Sequence, residues 1–210
     1  MRIFLCLVFL FLCLPSDAHA HPHEWIDVRS KVVFSGGKIT AIEERWTFDP
    51  YYTALSLEDF DANHNKTFEP DELMALAKGN LGNLAEFSYF TYVERDGKKV
   101  LLTGTRDVKT YLAQGRIVLD FTVIVDRPLD PRHEKISYRI YDPSYYISMR
   151  HEDAADAVSM TGGATDCTHT LVAPTPDAAW ALLAKSLDKN ATAPDNLGQY
   201  FAERVTLRCK

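Results

Sequence analysis

The sequence predicts a mainly β, α+β fold: an antiparallel β-sandwich or rolled sheet, interrupted by an inserted EF-hand-like helix–loop–helix and completed by one helix in the C-terminal half. Three observations carry this expectation. Short runs of alternating apolar and polar residues recur between turns rich in Gly, Asp and Pro, the period-2 signature of half-buried strands. A helical stretch from about 49 to 82 interrupts that rhythm and reads as an insertion. No strand–helix–strand alternation is present, which argues against a doubly wound parallel sheet.

The first twenty residues stand apart from the fold. Met1-Arg2 precedes an apolar run from Ile3 to Leu14, then Pro15-Ser16-Asp17 and Ala18-His19-Ala20. A positive start, an apolar stretch too short to span a bilayer and a small-x-small triplet predict a signal peptide over 1–20, cleaved after Ala20. No small-residue triplet leads into Cys6 or Cys13 as a lipid anchor requires, so a soluble exported product is expected. The remaining 21–210 read as a single β-rich domain, with no linker and no full repeat.

Within that domain, Trp25 to Phe34 alternates: Ile26, Val28, Val32 and Phe34 on one face, Asp27, Arg29 and Lys31 on the other. Ser35-Gly36-Gly37-Lys38 is a turn, and Ile39 to Phe48 returns as a second strand. One helix precedes Asp61 and another runs from Pro70 to about Lys78. Tyr89 to Glu94 and Lys99 to Leu102 flank Arg95-Asp96-Gly97, a hairpin signal. Arg116 to Val125 turns Leu119, Phe121, Val123 and Val125 inward. Ile136 to Tyr141 and two cysteine-bearing strands bring the count to about eight. A third helix runs from Pro176 to about Leu187. Asp49-Pro50-Tyr51-Tyr52 and Asp142-Pro143-Ser144-Tyr145-Tyr146 resemble each other, each at a strand end. An Asp cap followed by Pro at the first position accounts for both; a paired functional role is the alternative.

The chain has 210 residues, 46% of them hydrophobic, with 29 acidic against 23 basic side chains and a net charge of −6. This composition excludes a disordered or collagenous chain, and the acidic balance argues against a nucleic-acid partner or an anionic membrane. Arg2 and Asp17 leave together on cleavage, so the charge is unchanged. The four cysteines become two, Cys167 and Cys209. Cys167 opens one β-like run and Cys209 closes another. If the two pair antiparallel, the start of one lies beside the end of the other. One disulfide is therefore expected, closing a loop of about forty residues and worth roughly 4 kcal/mol.

Asp61 to Glu72 fits a twelve-residue calcium loop. Asp61, Asn63 and Asn65 supply oxygens at the first, third and fifth places, Thr67 a carbonyl at the seventh, Glu69 a group at the ninth, and Glu72 a bidentate carboxylate at the twelfth. Calcium is a hard cation that accepts six to eight oxygens, so the alternation suits Ca²⁺. Leu57 and Phe60 precede the loop, Phe68 takes its apolar eighth place, and Leu73 and Leu76 follow. Lys66 departs from the pattern at the sixth place, where Gly makes the sharp turn. There is a single such loop, which points to a structural ion rather than a signalling switch.

Cleavage after Ala20 exposes His21-Pro22-His23-Glu24-Trp25. Pro22 has no amide proton, which rules out a chelate built on deprotonated backbone amides. The amine and imidazole of His21, joined by the imidazole of His23, remain as a chelate suited to Zn²⁺, Ni²⁺ or Cu²⁺. Two histidines are incomplete, and His151, Asp142, His169, His133 and Asp49 are the candidates to complete the set.

His-Pro-His-Glu-Trp, the Asp-x-Asn-x-Asn loop ending in Asp-Glu-Leu, and Tyr-Asp-Pro-Ser-Tyr-Tyr occur in one order. Together they resemble the domain of unknown function 1007 family over nearly all of 21–210. The resemblance implies a periplasmic protein linked to an ABC-type transport system for zinc or nickel/cobalt, with an inner-membrane metal transporter as partner. Residue by residue it covers His21 and His23 and the loop from Asp61 to Glu72. It brings no reaction. A clamshell receptor is not expected, because that architecture needs two α/β lobes. The leading expectation is a periplasmic metal-binding accessory protein, not an enzyme, that passes or buffers a divalent transition metal and carries a structural calcium. The alternatives are a copper enzyme using the N-terminal histidine chelate, and a calcium-stabilised interaction module. No Gly-x-Ser-x-Gly, Cys-x-x-Cys, His-Glu-x-x-His or phosphate-binding glycine loop offers another chemistry.

Overall fold

Two sheets carry the chain. The structure is a computed structural model that describes residues 22–187 and 194–210; the expected signal peptide and His21 lie outside the described residues. In order, the elements are β1 (Glu24–Ser35), β2 (Lys38–Phe48), α1 (Pro50–Phe60), α2 (Pro70–Leu84), β3 (Thr91–Arg95), β4 (Lys98–Lys99), β5 (Leu102–Ala113), β6 (Arg116–Leu129), β7 (Ile136–Ile140), β8 (Ile147–His151), β9 (Val158–Thr161), β10 (Cys167–Val172), α3 (Ala178–Ser186) and β11 (Arg204–Cys209). A tight turn over Ala85–Phe90, kinked so that its last residues leave the helical conformation, and a 3₁₀ turn over Leu197–Tyr200 complete the set.

The mainly β class is as expected, but among the described residues there are eleven strands rather than about eight. The first sheet has the order β5-β6-β2-β1-β8, with β9 also beside β1; the second is β10-β11-β7-β3-β4. Most neighbours are antiparallel, but β8 and β9 both run parallel to β1. This corrects the all-antiparallel expectation. The chain leaves the second sheet after β7 and enters the first at β8, so β8 is not a hairpin partner and is free to take either direction. β5 escaped the pattern for a different reason: its register shifts between Leu102 and Gly104 and again between Arg106 and Lys109, and Asp107 is left-handed at φ 56°. Such bulges break the alternation that marks a strand in sequence.

The inner faces meet in one core. Ile26, Val28, Val32 and Phe34 of β1, Ile42, Trp46 and Phe48 of β2, and Leu119, Phe121 and Val123 of β6 are buried with Val93, Ile136, Tyr138, Val205 and Leu207 of the second sheet. Trp46 lies at its centre, edge-on to Phe121 at 4.9 Å between ring centroids. An aromatic pair of this kind adds about 0.5–1.5 kcal/mol beyond its buried area. α2 begins at Pro70 as expected but continues to Leu84, because Leu73, Leu76, Ala77 and Leu81 extend one buried stripe past Gly79. The predicted staple is present: Cys167 and Cys209 face each other across β10 and β11 and are disulfide-bonded, 42 residues apart in sequence.

Candidate functional site

The two Asp-Pro segments flank the head of β1. β2 runs antiparallel beside β1 with Phe48 opposite Ile26, and Asp49 follows at its end. β8 runs parallel on the other side with Ile147 opposite Glu24, and the turn from Asp142 to Tyr146 precedes it. Each Asp does the capping work expected of it. Asp49 Oδ1 accepts from the backbone N–H of Tyr51 (2.7 Å) and of Tyr52 (3.0 Å), and its Oδ2 accepts from Trp25 N–H (3.0 Å). Asp142 Oδ1 accepts from Ser144 N–H (2.9 Å), Oδ2 accepts from Ile147 N–H (3.0 Å), and Ser144 Oγ lies 2.7 Å from Oδ2. Both carboxylates are buried. Gly198 closes the arrangement from outside. Its N–H donates to Pro143 O (3.0 Å), and a Cβ there would stand 1.9 Å from Asp142 O.

Burial, then the charges of Asp49 and Asp142, push the Glu24 carboxyl up to about 7. A carboxyl that titrates there can take up or release a proton near neutrality. The paired role left open by the two similar Asp-Pro segments therefore acquires content: both place negative charge on Glu24. His23 stands next to this group. Its N–H donates to Tyr146 O (2.8 Å) and its ring packs on the Tyr146 ring at 4.9 Å. Around the strand head, Trp25, Tyr51 and Tyr146 are exposed.

The structure separates the other sequence candidates. His151 lies farther along β8, opposite Val28, with its ring nearly buried. Its Nδ1 is 2.9 Å from Glu203 Oε2 and its Nε2 3.0 Å from Ser30 Oγ, so each nitrogen has a partner in the core. His133 sits on the turn after β6, beside Asp130 at 3.2 Å, and His169 lies on β10. Asp142 and Asp49 thus act on Glu24, the residue that follows His23, while His151 pairs farther along β8 with Val28, and His133 and His169 lie on other segments. Among the described residues, no three His, Cys, Asp or Glu side chains form a group arranged to hold a metal.

The loop between α1 and α2 is wound on itself. Asp61 accepts from the backbone N–H groups of Asn65 (3.1 Å) and Lys66 (2.7 Å). Glu72 Oε1 and Oε2 accept from Ala62 N–H (2.8 Å) and Glu69 N–H (3.1 Å), the latter completing a capping box at the start of α2. Asn63 and Asn65 donate to Glu69, and Asn65 Oδ1 accepts from Thr67 N–H. Hydrogen bonding from the Asn65 side chain first, and with the Glu72 side chain next, holds the Glu69 carboxyl below its usual range. Lys66 at the sixth place is left-handed at φ 64°, the conformation Gly would supply there. The donors are all oxygens on alternating positions, which fits a hard cation.

Sequence reasoning missed two carboxylic acids that are tied into the interior, one buried and one half-buried. Glu44 lies in the core with Oε1 accepting from Thr91 Oγ1–H (2.7 Å) and Oε2 from Trp46 Nε1–H (2.9 Å); burial pushes it up to about 7 despite both bonds. Glu203 is the second, bound to His151. The signal available for Glu44 was its phase: it occupies an inward position between Ile42 and Trp46.

Comparison with known proteins is consistent with the resemblance. A protein of Haemophilus influenzae named only as uncharacterized is 25% identical over 213 residues, covering all of both chains. An uncharacterized 15.5 kDa protein in the trpE 3′ region of Spirochaeta aurantia is 30% identical over 91 residues, 43% of this chain and 64% of that one. The model of the family described as protein of unknown function (DUF1007) matches residues 6–209, and the chain belongs to that family.

Proposed function

We propose that this is an exported, periplasmic metal-binding accessory protein that holds a divalent transition metal, Zn²⁺, Ni²⁺ or Cu²⁺, at the head of β1 and hands it to or receives it from an inner-membrane transporter. The observation that carries the reading is His23 at the strand head, directly before Glu24, whose carboxyl is raised first by burial and then by the charges of Asp49 and Asp142. Imidazole suits these ions, and a neighbouring carboxyl that titrates near neutrality couples metal capture to proton release. His21, at the new N-terminus after cleavage, supplies the amine and second imidazole. Of the two further ligands weighed from sequence, Asp142 is the one whose charge acts on Glu24; the His151 ring is engaged by Glu203 and Ser30. The Cys167–Cys209 disulfide agrees with an oxidising compartment, and among the described residues no helix is long and apolar enough to cross a membrane. The reading assigns no reaction to the chain.

The loop from Asp61 to Glu72 is read as an EF-hand-like structural calcium site, with Asp61, Asn63, Asn65, Thr67, Glu69 and Glu72 as its oxygens. When bound, the ion supplies charge that holds these oxygens together; the residues themselves already fix the turn by hydrogen bonds. Titration calorimetry on protein beginning at His21 tests both sites. Zinc, nickel or copper uptake that is lost in His23→Ala, and calcium uptake that is lost in Asp61→Ala, are expected. No transition-metal uptake above background ends the first reading, and no calcium uptake ends the second.

A further inference from the structure

A groove lies beside the strand head. Its first lobe is a cavity of about 470 Å³ walled by Leu84, Phe87, Phe90 and Ile147, with Asp142 and Asp195 at its rim. Its second lobe, about 540 Å³, holds Glu86, Tyr92, Tyr141 and Asp195. The two share Phe87, Pro143, Asp195 and Asn196, so they form one path with Phe87 standing between them. Phe87 is 44% exposed, an aromatic ring offered to whatever lies in the groove.

Two features indicate that this wall is shaped for a partner. Ser88, Tyr89 and Phe90 are left-handed in succession, at φ 55°, 54° and 57°. Each costs about 1–2 kcal/mol for a residue with a side chain, and such strain gathers at ligand clamps. The charge is also unbalanced. Among the described residues, Glu86, Asp142 and Asp195 have no Lys, Arg or His within ion-pairing distance, whereas Glu43 and Asp120 on the first sheet, and Glu152 just after β8, are all paired. The cations of the second lobe are engaged: Arg139 is 3.3 Å from Glu94, and Lys99 lies over the Tyr92 ring.

We propose that this groove docks an extended segment of a partner protein bearing an apolar side chain and, two residues away, a Lys or Arg. In an extended chain, side chains two apart stand on one face about 7 Å from each other, which lets one residue fill the apolar lobe while the next on that face passes Phe87. The cation then meets Asp195 and Glu86 at the junction, with Phe87 supplying a ring for its stem. The net charge of −6 favours approach of such a segment over an acidic one. The proposal is independent of transition-metal binding.

Fluorescence anisotropy with labelled, end-blocked peptides tests it, in buffer containing calcium and no transition metal, so that a failed metal reading leaves the result untouched. A Leu-Ser-Arg peptide is expected to bind about tenfold or more tightly than the Leu-Ser-Glu control, and to weaken as salt rises. Phe87→Ala and Asp195→Asn each weaken it about tenfold while circular dichroism and the melting transition stay as in the parent. No binding, equal binding of the acidic control, or binding unchanged in both variants overturns the proposal. A concentration-dependent dimer in sedimentation that Phe87→Glu abolishes also overturns it, because the occupant is then a second copy of this chain.

Discussion

Ser30 Oγ stands 3.0 Å from His151 Nε2 and 2.7 Å from Tyr138 OH, joining the two sheets through one serine. With the ring neutral, one set of protons satisfies every atom. Tyr138 donates to Ser30, Ser30 donates to His151 Nε2, and Nδ1–H donates to Glu203; the tautomer is inferred from these partners. The order is serine–histidine–carboxylate, and Ser30 is only 2% exposed, which sets these bonds inside the fold where they hold the two sheets together. Ser30→Ala leaves a buried hydroxyl and a buried ring nitrogen without partners and is expected to cost about 1–3 kcal/mol in urea unfolding. Burial raises the Glu203 carboxyl, but the hydrogen bonds from the His151 ring and N–H outweigh it and hold it below its usual value. A lowered folded value means stability that is present above the unfolded value and lost as pH falls through the folded one. Glu203→Gln should therefore flatten the acid side of the stability profile. Unchanged urea midpoints for Ser30→Ala would show that the network contributes nothing.

Glu44 has the opposite sign. Its ordinary value of 4.5 is raised to about 7, chiefly by burial. The folded protein therefore binds a proton that the unfolded chain has released between these values. The stability associated with the neutral acid is complete below 4.5 and is lost as pH rises through about 7. Glu44→Gln removes the cost of ionising there, on the order of 3 kcal/mol at most. The amide can be satisfied: its oxygen accepts from Trp46, its NH₂ donates to Thr91 Oγ1, and the Thr91 hydroxyl turns to Tyr89 O, 3.0 Å away. The variant should match the parent near pH 4 and exceed it near pH 8. A variant less stable near pH 8 contradicts the account.

These two networks also mark where sequence stopped being legible. β1, β2 and β7 were readable because their alternation follows one buried face, β6 because its apolar run is buried on both faces, and the cysteine pairing followed from strand ends alone. β5 was not, because its bulges break the period. The parallel placing of β8 and β9 was not, because direction is decided by a crossing between sheets that no local signal encodes. Of the site, Asp49 and Asp142 were readable as caps from the residue types, and their similarity was visible. That both flank Glu24 depends on register between strands more than a hundred residues apart, Glu24 against Ile147, and no spacing in the chain reports it.

Gly198 offers a local test of the strand-head geometry. A Cβ there would meet the backbone of Asp142 at 1.9 Å, and backbone cannot turn aside as a flexible side chain can. Gly198→Ala should cost about 1–3 kcal/mol or more and displace the Asp142 turn from β1. Gly82, inside α2 with open space around it, is the matched control: Gly82→Ala should stabilise by about 0.5–1 kcal/mol. Thermal unfolding of both variants reads the difference, and equal effects would contradict the close approach.

Lys66 carries the last prediction. It sits at φ 64° in the loop between α1 and α2, and its N–H must point at Asp61 Oδ2, 2.7 Å away, so the conformation is fixed by the turn rather than by the side chain. A lysine held there costs about 1 kcal/mol that glycine does not, partly offset by the greater freedom glycine has when unfolded. A β-branched residue fares worse, since its two Cβ substituents crowd the left-handed backbone. Thermal unfolding should rank Lys66→Gly above the parent by up to about 1 kcal/mol, and Lys66→Val below it by at least as much. The order should hold with and without calcium, because the turn is wound by Asp61, Asn65 and Glu72 through their own hydrogen bonds. A valine variant as stable as the parent would show that the left-handed turn is not maintained in solution.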